Sequence, residues 1–387
     1  ISGNTGNGLS LRDSGKNSIT SNTIIENHQN GISLFNSDNN YLSENIIERN
    51  RQSGLSLADS SSNIIQGNEI SANEGDGITL ARSIQNIIEK NIVSLNQGNG
   101  IFLSIKSKAN TLASNKVTGN NNYGILITMS PDNTLRLNLI SGNKFNFKVS
   151  GTEDEDYYQN ITLDNMVEDK NLTYLVNQSD ITLNASSNAG PVYCINCTNF
   201  SADGLYLNGS STGVYIRKTN NATLTNITAF DNEHGIAIEN SGNVTISSSV
   251  ARNNAGHGFF LNNSEYNSIS DSVATENGQS GFYLENSAYN TLSNVTAVSN
   301  EQNGIYLNHS YQNTIQNSLS TKNTEYGFYL NNSSENQVSE NTASYNTFGY
   351  YLNNSDYNNS LFDNDALYNS NYGMYLLNSG FNNISGS

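Results

Sequence analysis

Residues 281–303 read Gly281-Phe-Tyr-Leu-Glu-Asn-Ser-Ala-Tyr-Asn-Thr-Leu-Ser-Asn-Val-Thr-Ala-Val-Ser-Asn-Glu-Gln-Asn303, and at Gly304-Ile-Tyr-Leu307 the pattern starts again. Apolar and polar residues alternate within it in three short runs, Phe282-Tyr-Leu284, Thr291-Leu-Ser293 and Val295-Thr-Ala297. A period of two marks a strand, and none of the runs is long enough for a helix. Asn separates the runs, and Asn tolerates the left-handed backbone of a tight corner while hydrogen-bonding its neighbours. The unit therefore predicts a triangular coil of three strands.

Outward from this stretch the glycine keeps its register. It recurs at Gly8, Gly31, Gly54, Gly77, Gly100 and Gly124, with spacings of 23, 23, 23, 23 and 24. It returns at Gly213, Gly235, Gly258, Gly281, Gly304, Gly327, Gly349 and Gly373, with spacings of 22 to 24. Repetition at this period predicts an all-β fold, a right-handed single-stranded parallel β-helix (β-solenoid) with three short strands per coil of about 23 residues. Seventeen or so coils at a strand spacing of about 4.8 Å give a rod about 80 Å long. A leucine-rich horseshoe is excluded because its helix-length segment is missing. Asn stands nine residues past the glycine (Asn40, Asn63, Asn86, Asn290, Asn313) and nineteen past it (Asn50, Asn73, Asn277, Asn300, Asn323). These columns are expected to bond amide to amide between coils.

Charge and composition divide the chain. Residues 1–150 form a near-neutral block with 12 Lys and Arg against 11 Asp and Glu, whereas 151–387 hold 5 against 23. The register blurs over 151–190, an irregular junction with an acidic loop, and residues 191–387 form a second, acidic, Tyr-rich block on the same expected axis. A net charge of −17 argues against nucleic acid, whose phosphates require Lys and Arg. No run of 18 apolar residues exists to span a membrane. Ile1 starts in mid-repeat and Ser387 ends in one, so two expectations compete: a fragment of a longer solenoid, or head-to-tail stacking into a filament.

The consensus Gly-Ile-x-Leu-x-Asn-Ser-x-x-Asn-x-Ile resembles the parallel β-helix repeats of the NosD-like family, also called carbohydrate-binding and sugar-hydrolase repeats. Glu168-Asp-Lys-Asn-Leu-Thr-Tyr-Leu-Val-Asn177 followed by Gly190-Pro-Val-Tyr193 resembles the junction such proteins place between solenoid blocks. The resemblance implies a cell-surface protein of the kind abundant in methanogenic archaea. A copper role is not carried over, because no Cys/His/Met cluster supports it. The family mixes enzymes, binding modules and structural rods, so function must come from the residues.

Two residues past the glycine stand Tyr215, Phe260, Tyr283, Tyr306, Tyr329, Tyr351 and Tyr375, where the first block has Ser10, Ser33, Ser56 and Thr79. This outward aromatic column is the binding candidate: rings can stack on sugars, pack against a partner, or simply brace neighbouring strands. Gly256-His-Gly258 is shared with the polygalacturonase family, but the paired aspartates and the Arg-Ile-Lys of that family are absent. Candidate metal ligands are Glu153, Asp154, Glu155 and Asp156, where carboxylates could take Ca²⁺, and His234 with His257, which should stack on consecutive coils. Cys194 and Cys197 read as buried thiols or a local disulfide. Eighteen Asn-x-Ser/Thr sequons fall from Asn160 onward and none before, with Asn208, Asn226, Asn243, Asn294 and Asn331 among the glycosylation candidates. The expectation is a non-catalytic extracellular solenoid that self-associates, assembles with other surface-layer proteins or binds cell-surface polysaccharide. The alternative is a polysaccharide lyase or glycoside hydrolase with a groove on the β-helix face.

Overall fold

The computed structural model describes residues 1–387, in two compact units. Unit 1 comprises residues 1–174 with 209–211, and unit 2 residues 175–208 with 212–387. The fold is the expected right-handed parallel β-solenoid, with about 16 turns of about 23 residues.

In unit 1 the first strands of successive coils, from Leu9–Arg12 to Phe145–Ser150, form a seven-stranded sheet. The second strands, Ser18–Thr20 to Asn160–Ile161, form another. The third strands pair in parallel from Thr23–Ile25 to Met166–Val167. In unit 2 the first strands run from Ala189–Ile195 to Tyr372–Leu377. Pro191 takes the slot of Gly213, since Val192 pairs with Val214. A ten-stranded sheet (Thr182–Asn184 to Asn383–Ser385) and an eight-stranded one (Tyr206–Asn208 to Asp365–Leu367) complete this unit.

Alternation decides the core. Ile32, Leu34, Leu55 and Leu57 are fully buried, while Ser33 and Ser56 between them face outward. The two units fill their coils differently. In unit 1, Ile32, Leu55 and Ile78 share a coil with buried Ile47, Ile70 and Val93. In unit 2, Phe259, Phe282 and Phe328 share theirs with buried Ala274, Ala297 and Ala343. A large residue is exchanged for a small one within each slice, which keeps a close-packed interior at constant volume.

Three corners per coil would strand buried polar groups without an internal partner, and the Asn columns supply it. Asn40 Nδ2 donates to Asn63 Oδ1 at 3.0 Å, and Asn277 Nδ2 to Asn300 Oδ1 at 2.9 Å. Each carbonyl also accepts the backbone N–H of the preceding coil's Asn, as Asn73 does from Asn50 at 3.0 Å. A third column, not singled out in the sequence, runs through Asn45, Asn68, Asn91 and Asn115, with Asn45 Nδ2 to Asn68 Oδ1 at 2.9 Å. A fourth uses Ser hydroxyls, as in Ser37 N–H to Ser60 Oγ at 3.0 Å. The turns need left-handed backbone: Asn286, Tyr289, Asn294 and Ser299 of one coil all have φ between 48° and 57°.

Candidate functional site

The aromatic column lies on the outer face of unit 2's first sheet, because inward positions on either side are taken by residues such as Phe282 and Leu284. All seven of its members are half-buried. Strand register sets their spacing: Phe260–Tyr283, Tyr283–Tyr306 and Tyr306–Tyr329 centroids lie 5.5, 4.8 and 4.6 Å apart, with planes within 23° of parallel. Tyr329–Tyr351 is more tilted, at 5.2 Å and 35°. Rings so arranged cover much of one another's faces, so the column presents edges and hydroxyls outward rather than platforms. Sequence spacing could place the rings in line but could not orient them. Ala237 interrupts the column between Tyr215 and Phe260.

Beside the rings runs a polar strip. Tyr283 Oη donates to Glu285, and Asn308 Nδ2 donates to Glu285 Oε2 at 2.7 Å. Asn331 Nδ2 then reaches Asn308 Oδ1 at 2.7 Å, and Asn353 Nδ2 reaches Asn331 Oδ1 at 2.9 Å. Further up the same sheet Glu239 accepts from Tyr215 and pairs with Arg217. A second set of rings, Tyr326, Phe348 and Tyr372, widens the face: Tyr326 stacks on Tyr351 at 4.8 Å and 12°.

His234 and His257 stack as expected, 5.5 Å apart and 11° from parallel, and His257 also meets Tyr283 at 4.6 Å. Their Nδ1 atoms accept backbone N–H groups, from His257 at 3.0 Å and Ser280 at 3.2 Å. Burial, reinforced by His234, pulls His257 down to about 3, so its imidazole is neutral in ordinary solution. Burial and neighbouring Tyr329 and Glu285 push Tyr306 up to about 12, and burial with the Glu285 contact raises Tyr283.

Both shifts have a pH consequence. A folded tyrosine that keeps its proton longer than the unfolded one stabilises fully below pH 10, and that stability is lost as pH rises from 10 to about 12. His257 acts on the acid side: its contribution is complete above pH 6.5 and lost as pH falls towards about 3. Urea midpoints measured between pH 10 and 12 are expected to fall less steeply for Tyr306→Phe than for the parent. Equal slopes would remove Tyr306 as the proton holder.

The other candidates separate. In the Glu153–Asp156 run, Asp154–Tyr157 forms a 3-10 turn; Glu153 and Glu155 stay exposed, and buried Asp156 accepts N–H groups of Thr152 and Glu153 at 3.0 and 3.1 Å. One of the four proposed Ca²⁺ ligands is thereby turned inward as a cap. Cys194 and Cys197 form a disulfide, with Cα atoms 5.8 Å apart in the core. Of the sequons, Asn226, Asn243 and Asn294 are exposed at left-handed corners, Asn208 is half-buried in a strand, and Asn331 sits inside the amide strip. Tyr266 and Tyr289, a stacked pair at an exposed corner, carried no signal in the glycine register.

Among solved structures, the Azotobacter vinelandii mannuronan C-5 epimerase AlgE4 A-module matches with 12% identity and a TM-score of 0.44, covering 96% of this chain and 91% of that one. The periplasmic alginate epimerase AlgG matches with 12% identity and a TM-score of 0.32, over 88% and 76% of the two chains. An alginate lyase from Paenibacillus sp. str. FPU-7 matches with 10% identity and a TM-score of 0.29, over 53% and 90%. No curated protein matches the sequence. Residues 159–315 match the family described as periplasmic copper-binding protein (NosD). The cysteines and the stacked histidines do not fit copper: the two cysteines are bonded to each other, and the Nδ1 atoms of His234 and His257 accept backbone N–H groups. Residues 1–140 and 260–387 match the model of the right-handed β-helix region, and over most of its length the chain belongs to that family.

Proposed function

We propose that the protein is an exported, non-catalytic β-solenoid that holds polysaccharide along the aromatic and amide face of unit 2. The observation that carries this reading is the strip itself. Aromatic rings recur once per coil, every 4.6 to 5.5 Å, from Phe260 to Tyr375, and the amides of Asn308, Asn331 and Asn353 stand beside Tyr306, Tyr329 and Tyr351. An extended glycan offers the complement, one sugar after another with C–H patches and hydroxyls at a repeat of the same order. Export is supported by the disulfide, which persists in oxidising compartments, and by the match to a family described as periplasmic. The non-catalytic reading rests on occupation of the two carboxylates in the polar strip. Glu239 is bound by Arg217, and Glu285 by Tyr283 and Asn308, whereas sugar hydrolysis requires one carboxyl as acid and one free for water or the anomeric carbon.

Unit 2 carries 4 Lys and Arg against 16 Asp and Glu, so its field repels anionic polymers. Neutral glycans are the expected ligands. The test is Tyr283→Ser/Tyr306→Ser/Tyr329→Ser in affinity electrophoresis through glucan, mannan, galactan and alginate gels. The fold should survive, because unit 1 uses Ser at this position, and retention by at least one neutral polymer should fall at least tenfold. Retention and sedimentation both unchanged would reduce the column to strand bracing. Loss of dimers with retention unchanged would assign it to self-association, and release of reducing ends or unsaturated uronides would overturn the non-catalytic reading.

A further inference from the structure

The column's rings hide their faces in one another, so ring-face recognition of a sugar must be sought elsewhere. The corner after each first strand of unit 2 is a four-residue turn, Asn240-Ser-Gly-Asn243 in one coil and Asn263-Ser-Glu-Tyr266 in the next. The first and fourth residues of both turns are left-handed, with φ of 49°, 55°, 48° and 58°. Third residues align between coils through the bridges Asn220 to Gly242 and Gly242 to Glu265. Gly242 has no side chain, so this column has a gap one coil deep. The gap is a shallow cleft of about 280 Å³, floored by Gly242 and walled by Asn220, Asn240, Asn243, Asn263, Glu265 and Tyr266. Tyr266 is 57% exposed. One face of its ring lies on Tyr289, 4.9 Å away and 6° from parallel. The opposite face, towards the Asn243 coil, borders the cleft.

We propose that this cleft binds a single neutral pyranose unit. It rests on the polysaccharide-binding reading and names where, and by what chemistry, a sugar ring is recognised. The open face of Tyr266 meets the apolar C–H face of the sugar, as aromatic rings do in amphipathic sites. Four Asn amides, each donor and acceptor, and the Glu265 carboxylate surround it as partners for ring hydroxyls. Glu265 and the acidic unit disfavour a uronic acid in the same place. Gly242 is the specificity-determining absence: it is not in the left-handed region, so it is there for space and not for backbone freedom. Glu265 and Ala288 occupy the same position in the next two coils, so the turn accepts a side chain.

Two variants exploit this. Gly242→Gln fills the cleft; a Cβ there meets Glu265 O at 3.1 Å and Asn220 Oδ1 at 3.6 Å, which a small shift accommodates. Tyr266→Asn removes the ring and restores the residue that the preceding coil has at this left-handed position, Asn243. Methyl glycosides of glucose, galactose, mannose and N-acetylglucosamine are the probes, followed by saturation-transfer NMR on the full chain, with thermal melts to confirm folding. The parent is expected to bind at least one with a Kd on the order of 1 mM, as a one-ring site allows. Both variants should weaken it at least tenfold, while Tyr306→Ser leaves it unchanged. Saturation transfer to no probe, or binding unaltered in both variants, would overturn the cleft. Polymer retention that depends on the tyrosine column but not on Gly242 or Tyr266 would do the same and leave the polysaccharide reading standing. Glycoside binding lost only in the cleft variants, with polymer retention indifferent to the column, would sustain the cleft and remove the column as the glycan face.

Discussion

Asn300→Ala is expected to destabilise unit 2 by about 4 kcal/mol, several times the effect of removing an exposed Asn. The side chain is 1% exposed and makes four hydrogen bonds. Its Oδ1 accepts both the backbone N–H and Nδ2 of Asn277, at 3.2 and 2.9 Å. Its Nδ2 donates to Ala274 O and Asn323 Oδ1, at 3.2 and 2.9 Å. Alanine removes all four bonds: the Asn277 backbone N–H loses its partner, while Asn277 Nδ2 keeps Ala251 O and Asn323 Oδ1 keeps the backbone N–H of residue 300. Each buried group left short costs about 1–3 kcal/mol, partly relieved by relaxation. Asn300→Asp should be no better, since it keeps the acceptor but loses both donations and buries a carboxyl. Asn294→Ala is the control. That residue is exposed, has φ of 53° and donates to Asp271 Oδ1 at 2.6 Å, so its loss should cost about 1 kcal/mol, mainly the left-handed preference. Urea midpoints for the three variants decide the matter, and equal costs at 294 and 300 would reduce the ladder to a consequence of packing.

This ladder also marks how far the sequence could be read. Columns nine and nineteen residues past the glycine are Asn in most coils, the first broken only at Ala222 and Val244, and their exchange of amide bonds between coils was legible from spacing alone. The column through Asn45, Asn68 and Asn91 was not. In unit 2 it passes to Ser249, Ser272, Val295 and Ser318, and a mixed column gives no period to detect. Three backbone N–H groups there, those of Ile227, Ser249 and Val295, are met by Ser hydroxyls. The functional candidates follow the same division. A period fixes which residues share a face, so the tyrosine column and the stacked histidines were predictable. Ring orientation is set by neighbouring side chains, and it decides whether a ring offers a face or an edge. Asp156 was misjudged because a carboxylate that caps its own turn has the same sequence as one that points to water. The cleft at Gly242 escaped for a simpler reason: its signal is a missing side chain in a column where no residue type repeats.

Gly31→Ala is the second large expected effect, about 3 kcal/mol, and it should exceed that of Gly281→Ala at about 1.5 kcal/mol. Neither glycine is left-handed, so backbone freedom is not the reason for either. Space is. A Cβ at Gly31 would sit 2.3 Å from Ile47 Cγ2, 2.6 Å from Gly54 O and 2.8 Å from Asn50 Nδ2. Gly54 O cannot retreat cheaply, because it accepts Ile32 N–H at 2.9 Å and holds the two coils in register. At Gly281 the nearest atoms are Asn300 Nδ2 at 2.9 Å, Gly304 O at 2.9 Å and, from the preceding coil, Ala274 Cβ at 3.1 Å, while Ala297, the counterpart of Ile47, is not among them. The difference traces to the third strand, where unit 1 has Ile or Val beneath the glycine and unit 2 has Ala in every coil but that of Gly304, which has Ser320. A double-mutant cycle isolates that contact. Ile47→Ala alone opens a cavity and should cost about 3 kcal/mol. Combined with Gly31→Ala, the new methyl enters part of the vacated space, so the double variant should be more stable than the two single costs predict by about 1–2 kcal/mol. Strict additivity, or equal costs at Gly31 and Gly281, would show that the next coil's carbonyl alone enforces glycine, and that the exchange of Ile for Ala between the units has no bearing on it.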